Sequence, residues 1–410
     1  MDSYPRYQAL DTLNSEGDEI GDTGAEHLAN ALRVNKILCT LNLNDNEIGA
    51  SGAKHLAYAL RMNKTLTTLN LGGNETGNSI GPLGAEDFAD ALRVNQTLTT
   101  LNLGGNIIGA SAAQHLANAL LVNKTLTALN LEGNEMGDEG TKYLAGALRV
   151  NNTLTRLGLG WNEIGIPGAK HLADVLRVNT TLTSLDLQTN TIGYAGAKHL
   201  ANALQALTTL DLEMNAIHSL GAKYLANALL VNQTLTTLNL ANNFIRDEGA
   251  KNLADVLREN QTLTTLVLGD NGIRVLGAKY LADALLVNTT LTTINLAGNY
   301  VGCEGVEQLA NALQENQSLT TLNLEGNQIG DAGAEHLAHA LRVNKILTTL
   351  NLEGNQIGDA GAEHLAHALR MNKTLTTLNL DYNEIGASGA EHLTNASQEN
   401  RVRKAFPSFA

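Results

Sequence analysis

The sequence predicts an α/β solenoid: a horseshoe with a parallel β-sheet on its concave face and α-helices on its convex face. Two observations carry this prediction. A motif of about 28 residues recurs about fourteen times along the 410-residue chain. Within each copy, the spacing of the apolar residues changes once, from that of a strand to that of a helix. A fixed period of this length is typical of a stacked repeat array.

Each copy opens with a short strand. In one copy, Leu101 and Leu103 alternate with Thr100, Asn102 and Gly104. This period of two places the leucines on one face of the strand and the polar residues on the other. We therefore expect the leucine face to be buried.

The second half of each copy has helical spacing. Ala334, Leu337, Ala338 and Leu341 fall on one helix face, with polar residues between them. No single copy can bury its own leucines, so successive copies are expected to stack around one core. Packed helices need roughly 8–10 Å of width whereas paired strands need about 4.8 Å, so the stack should curve with its strands inside.

An asparagine follows the strand and sets the register of the copies. We expect its side chain to turn inward and bond backbone groups of neighbouring copies, because an irregular buried segment leaves such groups unpaired. The spacing is 28 residues except for 32 between Asn74 and Asn106 and 25 before Asn215. The longer interval predicts a protruding loop at residues 77–80, although Asn78 also fits the motif. The register asparagines are Asn46, Asn74, Asn106, Asn134, Asn162, Asn190, Asn215, Asn243, Asn271, Asn299, Asn327, Asn355 and Asn383.

These motifs carry a family resemblance. The pattern L-x-x-L-x-L-x-x-N-x-I, followed by G-A-x-x-L-A-x-A-L, resembles the leucine-rich repeat of the ribonuclease-inhibitor type, and in particular the repeat regions of NOD-like receptors. The resemblance extends over roughly residues 10–395. It implies a cytosolic horseshoe that binds protein partners, and it transfers no catalytic residue to this chain. Because about ten residues precede the first copy, no nucleotide-binding domain is expected before the repeats.

We expect three segments: an N-terminal extension at residues 1–9, the leucine-rich-repeat solenoid at 10–396, and a C-terminal tail at 397–410. The first copy is degenerate, with Asp18 at the register position, and is interpreted as a cap. The last copy shows no clear cap, and an uncapped array end exposes core residues. The chain is therefore expected to be a monomer, or a weak dimer through its C-terminal end.

Composition limits the class of partner and the compartment. The net charge of −14 and the pI near 5.2 argue against nucleic acid and favour a protein partner with a basic surface. No apolar stretch is long enough for a membrane span, and the polar residues 1–5 do not begin a signal peptide. Cys39 and Cys303 are nine copies apart and cannot pair within a rigid array, so we expect a cytoplasmic protein.

The chemistry-bearing residues follow the repeat. Eight of the eleven histidines share one helix position, where neighbours lie roughly 10 Å apart, too far to share a metal ion. Ten Asn-x-Thr/Ser sequences share one helix-to-strand turn, which favours a structural turn over glycosylation. The sequence therefore predicts no cofactor, no metal site and no enzymatic activity.

Function is expected where exposed positions depart from the repeat. The position between the two strand leucines is usually Asn, and the position before the first leucine is usually Thr. Departures cluster in the central copies, and an exposed tryptophan with an arginine is typical of an interface; neutral drift is the alternative. Tyr300 also departs from the repeat, since the residue after the register asparagine is usually Glu or Gln. The predicted partner-binding residues are Arg156, Trp161, Asp186, Gln188, Asp211, Glu213, Met214, Phe244, Val267 and Asp270.

Charge refines this prediction. Asp186, Asp211 and Glu213 are expected to form a central acidic patch on the concave face, which would speed the capture of a basic partner at low salt. The most consistent function is a non-enzymatic scaffold that binds a protein partner on the concave face. Two alternatives stay open. Similar repeats form the Ran GTPase-activating proteins, for which Arg156 would be the candidate arginine, and a repeat array without a specific ligand is the other.

Overall fold

The structure, a computed structural model, describes residues 10–73 and 77–400, with side chains through residue 398. The chain divides into two compact units. Unit 1 comprises residues 10–191 with Gln205–Leu207, and unit 2 comprises Ile192–Leu204 with residues 208–400. In both units, short strands alternate with helices in chain order.

Unit 1 has seven strands and six helices along its described residues. It contains β1 (Thr12–Asn14), α1 (Gly21–Leu32), β2 (Thr40–Asn42), α2 (Ala50–Met62), β3 (Thr68–Asn70), α3 (Gly81–Leu92), β4 (Thr100–Asn102), α4 (Gly109–Leu120), β5 (Ala128–Asn130), α5 (Gly137–Leu148), β6 (Arg156–Gly158), α6 (Ile166–Leu176) and β7 (Ser184–Asp186).

Unit 2 has eight helices and seven strands within the part of the chain that the structure describes. It contains α7 (Gly193–Ala201), β8 (Thr209–Asp211), α8 (His218–Leu229), β9 (Thr237–Asn239), α9 (Arg246–Leu257), β10 (Thr265–Val267), α10 (Val275–Leu285), β11 (Thr293–Asn295), α11 (Gly302–Glu315), β12 (Thr321–Asn323), α12 (Gly330–Val343), β13 (Thr349–Asn351), α13 (Asp359–Met371), β14 (Thr377–Asn379) and α14 (Ala387–Asn400).

The strands of each unit form a parallel sheet in chain order, and equivalent residues pair. Leu69 pairs with Leu101 in unit 1, and Leu266 pairs with Ile294 in unit 2. From β2 onward the strand leucines are buried, and the helix residues predicted to face the core, such as Leu337, are at most 1% exposed. The predicted α/β repeat solenoid is confirmed. We call the outward side of the strands, with the residues that follow them directly, the strand face.

The register asparagines form a buried ladder, as predicted. The amide of Asn134 donates to the carbonyls of Leu103 and Glu132 at 2.9 and 3.0 Å. Its oxygen accepts the backbone N–H groups of Asn106 and Ile108 at 3.0 and 3.2 Å. Each such side chain satisfies backbone groups in its own copy and in the preceding one, so this position is structural.

The predicted register is wrong in one copy. Asn74 lies outside the described residues, and Asn78 occupies the ladder, accepting the N–H groups of Asn46 and Ile48 at 3.1 and 2.9 Å. Asn78 is 2% exposed and Ile80 is fully buried, so residues 77–80 do not protrude. The physical reason is the residue that must fill the core two positions after the asparagine. After Asn78 this residue is isoleucine, whereas after Asn74 it is threonine.

The Asn-x-Thr/Ser sequences form a second ladder at the helix-to-strand turn. The amide of Asn123 donates to the carbonyl of Leu92 at 2.7 Å, and its oxygen accepts the N–H groups of Thr125 and Leu126. Nine of the ten asparagines are buried, and Asn232 is half-buried. The interpretation as a repeated turn is confirmed.

The last described helix, α14, has polar residues at two positions that are apolar in the preceding helix. Helix α14 carries Thr394 and Ser397 where α13 carries the buried Ala366 and Leu369. The hydroxyls of Thr394 and Ser397 donate to carbonyls of their own helix at 2.8 Å. No further copy packs on this helix within the described residues, so a polar outer face suits it. The helix continues to Asn400, across the predicted boundary at 396, and the tail from 401 lies outside the described residues.

The copy with three fewer residues, which precedes Asn215, has a shorter helix: α7 has nine residues, whereas α8 has twelve. Asn202 ends the helix.

Candidate protein-binding face

The first predicted residue on the strand face of unit 1 is Arg156, which begins β6. Its side chain is exposed, unlike that of the equivalent Thr100. Gly158 in the same strand pairs with Asp186 of β7. Arg156 and Asp186 both line a shallow cavity of about 220 Å³ over strands β4 to β7. The structure thus brings these two predicted residues, of opposite charge, to one part of the strand face.

Trp161 lies beyond the strand, where the strand face meets the following loop. Its side chain is 56% exposed and lines a different cavity from Arg156, of about 720 Å³. Nearby, Gln188 donates to the carboxylate of Glu132 at 3.0 Å, across the space that Gly160 leaves open. The amide of Gln188 is therefore already engaged with a residue two copies before it.

The backbone of Trp161 is in the left-handed region, with φ of 52°. The equivalent position is glycine in several copies, such as Gly105 and Gly133, which have φ of 68° and 65°. A side chain in this region costs about 1 kcal/mol relative to glycine. Thr189 and Met214 adopt the same conformation at the equivalent position, so what distinguishes Trp161 is its large exposed ring, which is typical of an interface anchor.

In unit 2, Asp211 and Glu213 form a polar cluster with Asn239. The amide of Asn239 donates to Asp211 at 2.9 Å and to Glu213 at 3.2 Å. Burial raises the pKa of Asp211 above its usual value, and the charge of Glu213 raises it further, against the hydrogen bonds from Glu213 and Asn239. Two predicted acidic residues are thus adjacent on this strand face.

Some acidic side chains of the strand face make hydrogen bonds that support the fold. Glu325 accepts the amide of Asn351 at 3.1 Å, and Glu353 accepts the amide of Asn379 at 2.8 Å. Each carboxylate therefore bonds the asparagine of the next strand in unit 2. Glu213 makes the same contact with Asn239, so its charge has a structural explanation alongside any functional one.

Two other predicted residues, Met214 and Val267, contribute apolar surface. Met214 follows Glu213, is 46% exposed and has φ of 52°. Val267 is the last residue of β10, and its side chain is half-buried. It pairs with the asparagines at the same position of the two adjacent strands. Both lie on the strand face of unit 2, as expected for an interface that combines charged and apolar contacts.

The last two predicted residues, Phe244 and Asp270, lie in a separate groove. They line a cavity of about 530 Å³ at the loops between strands and helices of unit 2, together with Arg246, Arg274 and Tyr300. Burial raises the pKa of Asp270, and the charge of Glu213 adds to this effect.

Sequence reasoning did not single out His218, Arg246 and Arg274. A signal was available in the sequence: these three residues stand in consecutive copies at the position where the helices begin, which is glycine in the other copies.

The histidine position on the helices does not assemble a metal centre in the described residues. Its members are half-buried, except the exposed His27. No group of three or more His, Cys, Asp or Glu side chains that could hold a metal ion occurs within residues 10–73 and 77–398. In the same part of the chain, no helix combines the length and the apolar character that crossing a bilayer requires.

Comparison with protein-family models decides the family. The leucine-rich repeat model matches twelve segments of the chain: residues 34–57, 94–117, 122–145, 150–173, 178–201, 203–226, 231–254, 259–282, 287–310, 315–338, 343–366 and 372–393. The chain belongs to the leucine-rich repeat family. No protein with a curated description matches it significantly. Leucine-rich repeat proteins generally act as non-enzymatic scaffolds for interactions, and no catalytic family is indicated for this chain.

Solved structures agree with this fold. Rad7 in its complex with Elc1 from yeast is 18% identical with a TM-score of 0.53, over 90% of this chain and 85% of that chain. TLR13 in its complex with ssRNA13 is 20% identical with a TM-score of 0.53, over 94% of this chain and 52% of that chain. An internalin from Listeria monocytogenes is 21% identical with a TM-score of 0.43. At these identities, the likeness to Rad7 and TLR13 concerns the fold alone, and the TM-score of the internalin is too low to support an inference.

Proposed function

We propose that this leucine-rich repeat protein is a non-enzymatic cytoplasmic scaffold that binds a basic protein partner on its strand face. The proposal includes the ribonuclease-inhibitor type of repeat, supported by the helix present in each copy. The main support is Trp161, a large aromatic residue whose side chain is 56% exposed. A tryptophan of this kind is typical of an interface anchor.

The charge of the strand face supports the basic character of the partner. Asp211 and Glu213 are adjacent in unit 2, and burial raises the pKa of Asp211. An approaching cation lowers the free energy of a buried carboxylate, so such a pair gains from contact with a lysine or arginine of a partner.

A capture experiment with matched variants tests the proposal. Wild type is compared with Arg156→Ala/Trp161→Ala in unit 1 and with Asp211→Asn/Glu213→Gln in unit 2, each as bait in a cell lysate with mass spectrometry of the captured proteins. We expect a partner to be retained by wild type and lost from at least one of these variants. Retention of the same partners by both would contradict binding on the strand face.

Controls on the helices match these changes. Arg149→Ala/Tyr58→Ala removes an exposed arginine and an exposed aromatic ring from helices of unit 1. Asp255→Asn/Glu259→Gln would remove two exposed acidic charges from the helix layer of unit 2. Both controls should capture the partner as wild type does.

The alternative of a GTPase activator depends on Arg156, the exposed arginine of β6. An arginine supplied to the nucleotide of another protein accelerates GTP hydrolysis strongly. Hydrolysis by a Ran-type GTPase, measured with wild type and with Arg156→Ala, distinguishes the two functions. Equal, unstimulated rates with both proteins are expected for a scaffold, and stimulation that Arg156→Ala abolishes would replace it with the activator.

A further inference from the structure

A second surface of unit 2 lies where the helices begin. The helix-start position, three residues after the register asparagine, is glycine in eleven copies, but His218, Arg246 and Arg274 occupy it in three consecutive copies. The protein as a whole carries a net charge of −14. A run of three basic residues at one position is therefore opposite to the general charge of the chain.

The backbone at this position is unfavourable for two of the three side chains. His218 and Arg246 have φ of 57° and 58°, in the left-handed region that glycine adopts freely. Arg274 has φ of −110° instead, because the carboxylate of Asp247 accepts its N–H at 2.7 Å and that of Gly277 at 3.0 Å. The basic residues at 218 and 246 thus oppose the local backbone preference.

Aromatic residues lie beside these three side chains. Phe244 and Tyr300 are 57% and 55% exposed, and the ring of His218 stacks on Phe244 with centroids 5.6 Å apart. Gly272 occupies the equivalent position in the copy between Phe244 and Tyr300. With strands about 4.8 Å apart, the two aromatic residues are separated by roughly 10 Å, which leaves room for one side chain over Gly272.

The groove is polar on its two sides. Arg246 and Arg274 lie on the helix side, and among the described residues neither makes an ion pair. Asp270 lies on the strand side, before Gly272 in sequence. Asp247 also lines the groove, but its carboxylate is engaged by two backbone N–H groups. The uncompensated charges on the helix side are therefore the two guanidinium groups.

We propose that His218, Phe244, Arg246, Arg274 and Tyr300 form a docking surface, the basic–aromatic edge, for an acidic segment of a protein partner. An apolar side chain of the segment sits over Gly272 between the two aromatic rings, and flanking carboxylates pair with the two arginines. The proposal rests on the proposed function only in that the occupant is a protein, because it uses residues outside the strand face.

A protein segment fits this surface better than a nucleic acid. Asp270 lines the same groove as the two arginines, so the evenly spaced phosphates of a nucleic acid would also lie against a carboxylate. A peptide needs only a few carboxylates and can turn them toward the arginines. Its apolar side chain also gains burial against Phe244 and Tyr300, which exposed aromatic rings offer at protein interfaces.

The test uses fluorescein-labelled peptides and the full chain. The peptides are Glu-Glu-Trp-Glu-Glu, its Lys-Lys-Trp-Lys-Lys counterpart, Glu-Glu-Ala-Glu-Glu and a five-residue oligothymidylate, measured by fluorescence anisotropy. Wild type should bind the acidic tryptophan peptide at least tenfold more tightly than the other three. Arg246→Gly/Arg274→Gly, which restores the residue found in the other copies, should weaken that peptide at least tenfold.

Further variants separate binding from folding. Arg246→Gly relieves the left-handed backbone, so its melting temperature should equal or exceed that of wild type. Arg258→Ala/Lys279→Ala removes two exposed charges elsewhere in unit 2 and should leave the affinity unchanged. Phe244→Gln places the residue of other copies at this position and should weaken the tryptophan peptide but not the alanine peptide.

Three results would overturn the proposal. The first is equal affinity of wild type and Arg246→Gly/Arg274→Gly for the acidic tryptophan peptide. The second is an equal loss of that affinity in the Arg258→Ala/Lys279→Ala control. The third is tighter binding of the oligothymidylate than of the acidic peptide by wild type. The strand-face variant Asp211→Asn/Glu213→Gln should bind the acidic peptide as wild type does or more tightly. Failure of the strand-face proposal therefore leaves this result unaffected, and the two proposals fail separately.

Discussion

Asn243→Ala removes one side chain of the buried asparagine ladder in unit 2. The oxygen of Asn243 accepts the N–H groups of Asn215 and Ile217 at 3.0 and 3.1 Å, and its amide donates to the carbonyls of Leu212 and Ala241 at 2.8 Å. The side chain is fully buried. Four hydrogen bonds at about 1 kcal/mol each predict a loss of about 4 kcal/mol in the free energy of unfolding, because the four backbone groups stay buried without partners.

Two assays check this value. Urea unfolding followed by helix circular dichroism gives the change in global stability. Hydrogen exchange of the Asn215 and Ile217 amides gives the local change, and about 4 kcal/mol corresponds to roughly a thousandfold faster exchange. Both amides lose the same acceptor oxygen, so they should respond together.

Asn239→Ala is the matched control, since it removes an asparagine of the same copy from the half-buried strand face. Asn239 bonds Asp211 and Glu213, and the N–H of Ala241, groups that water reaches after the mutation. Its loss should be about 1 kcal/mol. A loss below about 1 kcal/mol for Asn243→Ala, or equal losses for the two variants, would refute the structural role of the ladder.

Three more outcomes are expected. Burial raises the pKa of Asp211 above its ordinary value of 3.8. The ionised carboxylate therefore lowers the stability of the protein above the folded-state pKa, and this penalty disappears below the unfolded-state pKa. Asp211→Asn should raise the melting temperature at pH 7 but not at pH 3. Thr394→Ala/Ser397→Leu restores the apolar residues of the preceding helix on α14, and light scattering should show self-association that wild type lacks. The association rate of a captured basic partner should fall as salt rises, and Asp211→Asn/Glu213→Gln should flatten that dependence; parallel salt curves would contradict electrostatic capture.

The sequence was sufficient to predict the regular parts of the fold. The alternation at Leu101 and Leu103 and the helical spacing from Ala334 to Leu341 repeat in most copies, so the copies support one another. The asparagine ladder also followed from physical reasoning, because a buried turn needs side chains to satisfy its backbone groups.

Errors occurred where a single copy departs from the pattern. Asn74 and Asn78 both fit the local motif, and the hydrogen bonds of Asn78 and the burial of Ile80 decide between them.

The candidate site was predicted in part. Trp161 and Arg156 are exposed as expected, but they line separate cavities. Phe244 was selected for the strand face and lies instead in the groove with Arg246 and Arg274. Departures from a repeat identify unusual residues, whereas their grouping depends on side-chain directions that only the structure provides.

The measurement that tests the central claim most directly is the dissociation constant of the captured partner for four forms of the full chain: wild type, Arg156→Ala/Trp161→Ala, Asp211→Asn/Glu213→Gln and the helix control Arg149→Ala/Tyr58→Ala. Binding on the strand face predicts a dissociation constant at least tenfold higher for one or both strand-face variants, since an anchor residue contributes about 1.4 kcal/mol or more. For the control, it predicts a dissociation constant within twofold of that of wild type. Unchanged affinity of both strand-face variants, with loss in the helix control, would place the partner on the helices and contradict the account.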